Sequence, residues 1–262
     1  MTASKTKAKP KAKTPKSTKS NFWKICFRYV RNGILIFFGV SVLWVLIDWV
    51  LPVYMTPLMC IRTVESIIDG ETPRNEKVWV SIDEISPNIV QAVVASEDNR
   101  FMMHNGFSFK DMNRAFKHNQ KGKRIRGGST ISQQTAKNVF LFPHRSYIRK
   151  GLEAYFTVLI ELTWGKKRIM EMYLNVIEMG DGIYGIEAAS QAYFNKNASD
   201  LTKSEAALIA ACIPNPRKFH VDNPTAFIRG RQTKILSLMG KIKRVNLNKK
   251  ETEPTRKHRK RK

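Results

Sequence analysis

The chain has 262 residues with 46 Lys and Arg against 21 Asp and Glu, a formal charge of +25, and 42% of its residues are apolar. That apolar content excludes wholesale disorder. Three cysteines without Cys-x-x-Cys spacing exclude both a disulfide-rich scaffold and a structural zinc site. The charge invites a nucleic-acid reading, but it sits at the ends: residues 1–31 carry ten cations and no acid, residues 241–262 carry a net +9, and +6 remains for the body between them.

In chain order, residues 1–31 read as a basic disordered tail, rich in Lys, Ala, Thr, Pro and Ser. Residues 32–54 read as a transmembrane anchor. Between Arg31 and Arg62 the single charge is Asp48, and the stretch matches the ~20 apolar residues that cross a bilayer. Its length, and the lack of an Ala-x-Ala site after it, favour an uncleaved anchor over a signal peptide. The cations before it place the N-terminus in the cytoplasm and the body outside. Cys60 and Cys212 would then meet an oxidising space, and nothing in the sequence pairs them.

Residues 55–85 read as a connector with a short alternating strand at Val78–Ile82. From there the signals are helical. Ser86-Pro87 opens a helix to about Ser96. Ser108 opens another to about His118, and a basic loop spans Lys121 to Gly128. Ser129 or Thr130 caps a helix to about Phe140. A long helix from Arg145 to Trp164 carries the apolar stripe Ile148, Leu152, Tyr155, Phe156 and Leu159, and Gly165 breaks it. The next helix buries Ile169, Met172, Tyr173, Val176 and Ile177. Gly180 and Gly182 turn into a helix at Ile183–Phe194. Thr202-Lys203-Ser204-Glu205 is a capping box for a helix ending at Pro214, and a last helix spans Thr225–Lys241. The body, 55–240, is therefore mostly α, and 241–262 is a basic tail.

Four groups of residues bear on chemistry. Glu97-Asp98 ends a helix beside apolar Phe101 and Met102, a setting that raises a carboxylate's proton affinity toward that of a general base. Gly127-Gly128 followed by a hydroxyl cap leaves free N–H groups at a helix start, and Ser129, Gln133 and Lys137 fall four apart on one face. Arg145, Arg149 and Glu153 repeat that spacing, with Lys150 beside them, and form a candidate diphosphate clamp. Glu171 and Asn175 lie four apart, opposite their helix's apolar face, and would support a polar cleft. Solvated helix faces and exposed i,i+4 ion pairs would give the same local patterns. His104, His118 and His144 have no metal-ligand spacing, so no metal ligand is assigned.

Taken together, Glu97-Asp98-x-x-Phe101-x-x-His104-x-Gly106, Gly127 through Gln134 with Lys137-Asn138, Arg149-Lys150-x-x-Glu153, Ile169-Met170-Glu171-x-Tyr173-Leu174-Asn175, and Gly182-x-Tyr184-Gly185-Ile186 with Tyr193-Phe194 resemble the five ordered motifs of the bacterial peptidoglycan glycosyltransferases, across roughly residues 75–225. Met170 stands where Leu is usual. The resemblance implies a lysozyme-like helical lobe with a smaller membrane-proximal lobe, preceded by the transmembrane helix. It implies inverting polymerisation of lipid II onto the 4-hydroxyl of the acceptor sugar at the cytoplasmic membrane. Glu97 would be the base and Glu153 a second carboxylate. Lys137, Arg145 and Arg149 would meet the leaving diphosphate, and Arg114, Ser129 and Gln133 would hold sugar or phosphate. Asp98, His104, Asn138, Lys150, Glu171 and Asn175 would support them.

A divalent cation, Mg or Mn, often assists in that family; no nucleotide is needed and no nucleic acid is expected. Expected partners are lipid II, the lipid-linked glycan chain and the membrane, with divisome or elongation proteins as further candidates. The absence of Lys-Thr-Gly and the position of the C-terminus point to the form without a transpeptidase domain. Two rival readings stand beside this one: an enzyme that cuts the same polymer, and a non-catalytic membrane-tethered binder of anionic polymers.

Overall fold

The computed structural model describes residues 18–120, 122, 127–144 and 146–248. The chain divides into two units, residues 1–44 and 45–262. Within them, α1 runs over Thr18–Val50, and its segment Phe22–Val50 is long and apolar enough to cross a membrane. The helix starts well before residue 32, and Phe22, Trp23, Ile25, Phe27 and Tyr29 carry its apolar content past Lys24 and Arg28. Residues 18–31 are therefore helical, contrary to the expected disorder, and the helix closes at Val50, two residues before Pro52.

The expected connector contains a helix, α2 (Pro57–Ile68), capped by Thr56 with Pro at its first position. The strand expected at Val78–Ile82 is instead a two-residue strand, β1 (Glu76–Lys77), followed by a 3-10 turn at Ile82–Glu84. The remaining helices are α3 (Pro87–Glu97), α4 (Phe109–Gln120), α5 (Ile131–Phe140), α6 (Tyr147–Thr163), α7 (Gly165–Val176), α8 (Ile186–Phe194), α9 (Lys203–Cys212) and α10 (Ala226–Lys241). Ser86, Thr130, Ser146, Thr202 and Thr225 each cap a helix through the side-chain oxygen, which satisfies a backbone N–H that the helix leaves free.

Helix α5 packs on α6 and α7, and α3 packs on α9 and α10. The buried faces hold Ile89, Val93, Phe101, Ile131, Ile160, Ile169, Met172 and Ile209. The stripe on α6 is rotated from expectation: Phe156 and Ile160 are buried, whereas Ile148 is 80% exposed. Ile183 and Tyr184, expected to begin this helix, instead form β3 (Ile183–Tyr184), which makes a hairpin with β2 (Glu178–Gly180) and pairs in parallel with β1. Gly182 has φ +69° and lies so close to Arg74 that a Cβ would stand 2.5 Å from the Arg74 carbonyl oxygen, so no other residue fits there.

Asn175 holds the segment after β1 to helix α7. Its Oδ1 accepts from Val80 N at 3.0 Å, and its Nδ2 donates to the carbonyls of Val80 and Glu171, both at 2.9 Å. Glu171 accepts from Ile82 N at 3.3 Å and from Arg168. Asn175 is fully buried. Both residues therefore clamp the 80–82 backbone and do not lie on the open face opposite their helix's apolar side. Asn175→Ala is expected to lower stability by about 2–4 kcal/mol, since it strands buried backbone groups; urea unfolding with an unchanged m-value checks this.

Past α10, residues 242–248 lie against the body, although a tail was expected from 241. Gln91 on α3 donates to the carbonyls of Met239 and Lys243 and accepts from Val245 N.

Candidate active site

The C-terminal end of α3 places Glu97 and Asp98 at the meeting point of α5 and α7. Asp98 is buried and fully engaged. Its Oδ2 accepts from Ile131 N at 3.1 Å and from His104 Nε2 at 3.0 Å. Thr130 Oγ1 donates to the Gly106 carbonyl at 2.6 Å. These bonds join the segment 97–106 to the start of α5. Gly106 has φ +87°, and a Cβ there would meet Thr157 Cγ2 at 2.7 Å, so glycine is required for this turn to reach α6.

Glu97 is half-buried. Its Oε2 accepts a hydrogen bond from Gln134 Nε2 at 3.1 Å, and Gln134 Oε1 accepts from the buried Tyr173 hydroxyl at 3.4 Å. Burial pushes the Glu97 carboxyl above the ordinary range and neighbouring Asp98 adds to this; the Gln134 bond, Arg231 and Lys137 pull the other way. The net direction is up, as for a carboxylate taken out of water without a full charge partner.

Glu153 is a buried carboxylate on α6. It pairs with Arg149 at 3.2 Å and with Lys150. Lys137, on α5, feels the charges of Glu153, Arg149, Lys150 and Glu97 together. Burial is the largest influence on its amine and moves it below the usual ammonium range. Lys137 is thus coupled electrostatically to both the Glu97 carboxylate and the Arg149–Lys150–Glu153 cluster.

The other expected members differ in their surroundings. Gln133 is 4% exposed and is spent on the capping box with Thr130, with its Oε1 3.0 Å from Thr130 N. The next residue, Gln134, faces Glu97 in its place. Four-residue spacing from Lys137 selects Gln133; a spacing of three, equally allowed on a helix, selects Gln134. Ser129 is exposed and precedes the cap. Arg114 is exposed on α4, where it pairs with Asp111 at 3.4 Å. Asn138 is half-buried on α5, and Arg145 lies outside the described residues. Arg231, on α10, acts on Glu97 and donates to the Ala211 carbonyl at 3.1 Å; no local motif marks it, because it reaches the site through the packing of α10 on α3.

The arrangement sets a carboxylate of raised proton affinity beside a group of three cations and a second acid, suited to activating a hydroxyl next to a departing anion. Residues 64–240 match the model of a family described as Transglycosylase. A protein of Bacteroides thetaiotaomicron named biosynthetic peptidoglycan transglycosylase is 52% identical over 219 residues, covering 84% of this chain and 88% of its own. Proteins of the same name from Bdellovibrio bacteriovorus and Haemophilus influenzae are 51% and 44% identical, covering 82% and 87% of this chain and 86% and 91% of theirs.

Proposed function

This chain belongs to the transglycosylase family, and from that premise we propose a biosynthetic peptidoglycan glycosyltransferase that lengthens glycan chains from lipid II. The growing chain, held on its lipid diphosphate, is the donor. Glu97 takes the proton of the acceptor's 4-hydroxyl as that oxygen attacks the donor's anomeric carbon. The carbon–oxygen bond to the diphosphate breaks, and the electron pair leaves with the phosphate. One displacement inverts the α-linked donor to a β-1,4 product.

Lys137, Arg149 and Lys150 offset the charge that grows on the diphosphate, where fixed cations in a partly desolvated site act most strongly. Glu153 holds Arg149 and Lys150 in place. Gln134, a residue the spacing did not single out, is the amide that meets Glu97. The reading is carried by two groupings: the Glu97 carboxylate held by Gln134 at 3.1 Å, and the buried Glu153 paired with Arg149 and Lys150, with the charge of Lys137 acting on both. A glycan-cleaving enzyme has no diphosphate to receive such cations.

Two of the site's three carboxylates already have partners. Asp98 is engaged by His104 and Ile131, and Glu153 by two cations. Among the described residues no group of three or more His, Cys, Asp or Glu could hold a metal ion. No step is routed through a metal.

The apolar α1 supports a single-pass anchor in the cytoplasmic membrane, with the basic N-terminal segment on the cytoplasmic side and the catalytic domain outside. Exposed Phe109, Phe116, Phe142, Tyr147 and Ile148 offer further apolar surface to a substrate with long lipid tails. The direct test supplies purified protein with lipid II in detergent and no nucleotide. The expected result is a polymer that a muramidase digests; lipid II left intact would refute the reading.

A further inference from the structure

Two atoms of the Glu97 carboxylate have different surroundings. Oε2 is held by Gln134 Nε2 at 3.1 Å, whereas among the described residues no donor bonds Oε1. The Gln134 carboxamide meets Tyr173 at its other end, where the hydroxyl donates to Gln134 Oε1 over 3.4 Å. Tyr173 is fully buried, 0% exposed, within α7. A buried phenol needs a hydrogen-bond partner, and the partner here is the amide that faces the carboxylate.

Orientation of that amide decides what Glu97 experiences. With its N–H toward Oε2 it favours the ionised carboxylate. Turned by half a rotation, its C=O would face Oε2 and favour the protonated acid, which cannot accept a proton. The charged groups that act on Glu97 from packed elements are Lys137 on α5, Arg231 on α10 and the adjacent Asp98. None of them touches the Gln134 carbonyl; Tyr173 does.

We infer that Tyr173 is a positioning residue for the proton transfer: through Gln134 it keeps the amide N–H on Oε2 of Glu97 and leaves Oε1 as the atom that takes the acceptor's hydroxyl proton. The phenol stays protonated throughout and exchanges no proton with substrate. Burial holds its own ionisation far above neutrality.

This inference rests on the glycosyltransferase reading, and its test separates the two. The carboxyl carbons of Glu would be followed by NMR titration in 13C-Glu-labelled protein, with Glu97→Gln used to assign the Glu97 signal, in the wild type, Tyr173→Phe, Gln134→Met and the double variant. Tyr173→Phe should move the Glu97 midpoint upward by about 0.5–1 pH unit, and Gln134→Met should move it at least as far. The double variant should add nothing to Gln134→Met, since Tyr173 acts through that side chain. In lipid II polymerisation, the acidic limb of kcat/KM against pH should move upward by the same amount in Tyr173→Phe. An unmoved midpoint in the single variants, or a double variant whose shift is the sum of the two, overturns the inference. A lower Tm with no change in midpoint also overturns it, because Tyr173 would then be structural. If the wild type fails to polymerise lipid II, the functional reading falls, and the titration still decides the role of Tyr173.

Discussion

Glu97→Gln should abolish polymerisation while leaving a better-folded protein. Loss of a positioned general base lowers kcat by about 10²–10⁴. The stability effect has the opposite sign. The Glu97 carboxyl is raised above its ordinary value in the folded chain by burial, so the folded state binds its proton more tightly than the unfolded state does. The resulting stabilisation is complete below the unfolded value and is lost as pH rises through the folded one. At neutral pH the ionised side chain is therefore a liability that Gln removes. Thermal melts at pH 7 should show a higher Tm for Glu97→Gln than for the wild type, and the gap should close as the buffer is acidified. Activity that survives the substitution would assign the base elsewhere. A lower Tm at pH 7 would mean that the carboxylate is needed to hold the fold.

The second large effect is at Lys137. Removing one fixed charge that meets a developing anion typically lowers kcat by about 10²–10³, and Lys137→Ala is expected to fall in that range with a smaller change in KM. Its pH signature follows from burial, which draws the ammonium below its usual range. The amine loses its proton as pH rises, so activity should fall on the alkaline side. Lys137→Arg carries a charge that does not titrate there, so whatever activity remains should lose that alkaline limb. A limb unchanged in Lys137→Arg would show that another group produces it.

The helices were readable because their ends are written in short-range chemistry. Ser86-Pro87 and Thr202 with Glu205 cap where the pattern places them, Thr130 is the one of two allowed residues that caps α5, and the last helix starts at Thr225 as expected. Glu97, Lys137, Arg149 and Glu153 showed locally only as an acid after an apolar helix and charges at helical spacing, patterns that solvated helix faces share; the resemblance of the five ordered motifs singled them out. Helix α2 was less visible because Pro57 reads as a connector residue until Thr56 is seen to cap it. The β2–β3 hairpin was missed because its strands span three and two residues, too few for alternation to register. Choosing between Gln133 and Gln134 required the cap geometry. The clamping role of Asn175 and the approach of Arg231 to Glu97 depend on contacts between residues 95 and more than 100 positions apart, which no window of sequence contains.

Asp98 ties Ile131 and His104 together and so closes a circuit of about thirty residues on one carboxylate. Helix α4 lies inside that circuit and outside the core, with Ala115 its single buried side chain. Lengthening a closed loop costs little once its ends are pinned, about 0.6 kcal/mol per doubling. A change in length beside α4 is therefore cheap in chain entropy, while the Asp98 bonds keep the end of α3 in register with the start of α5.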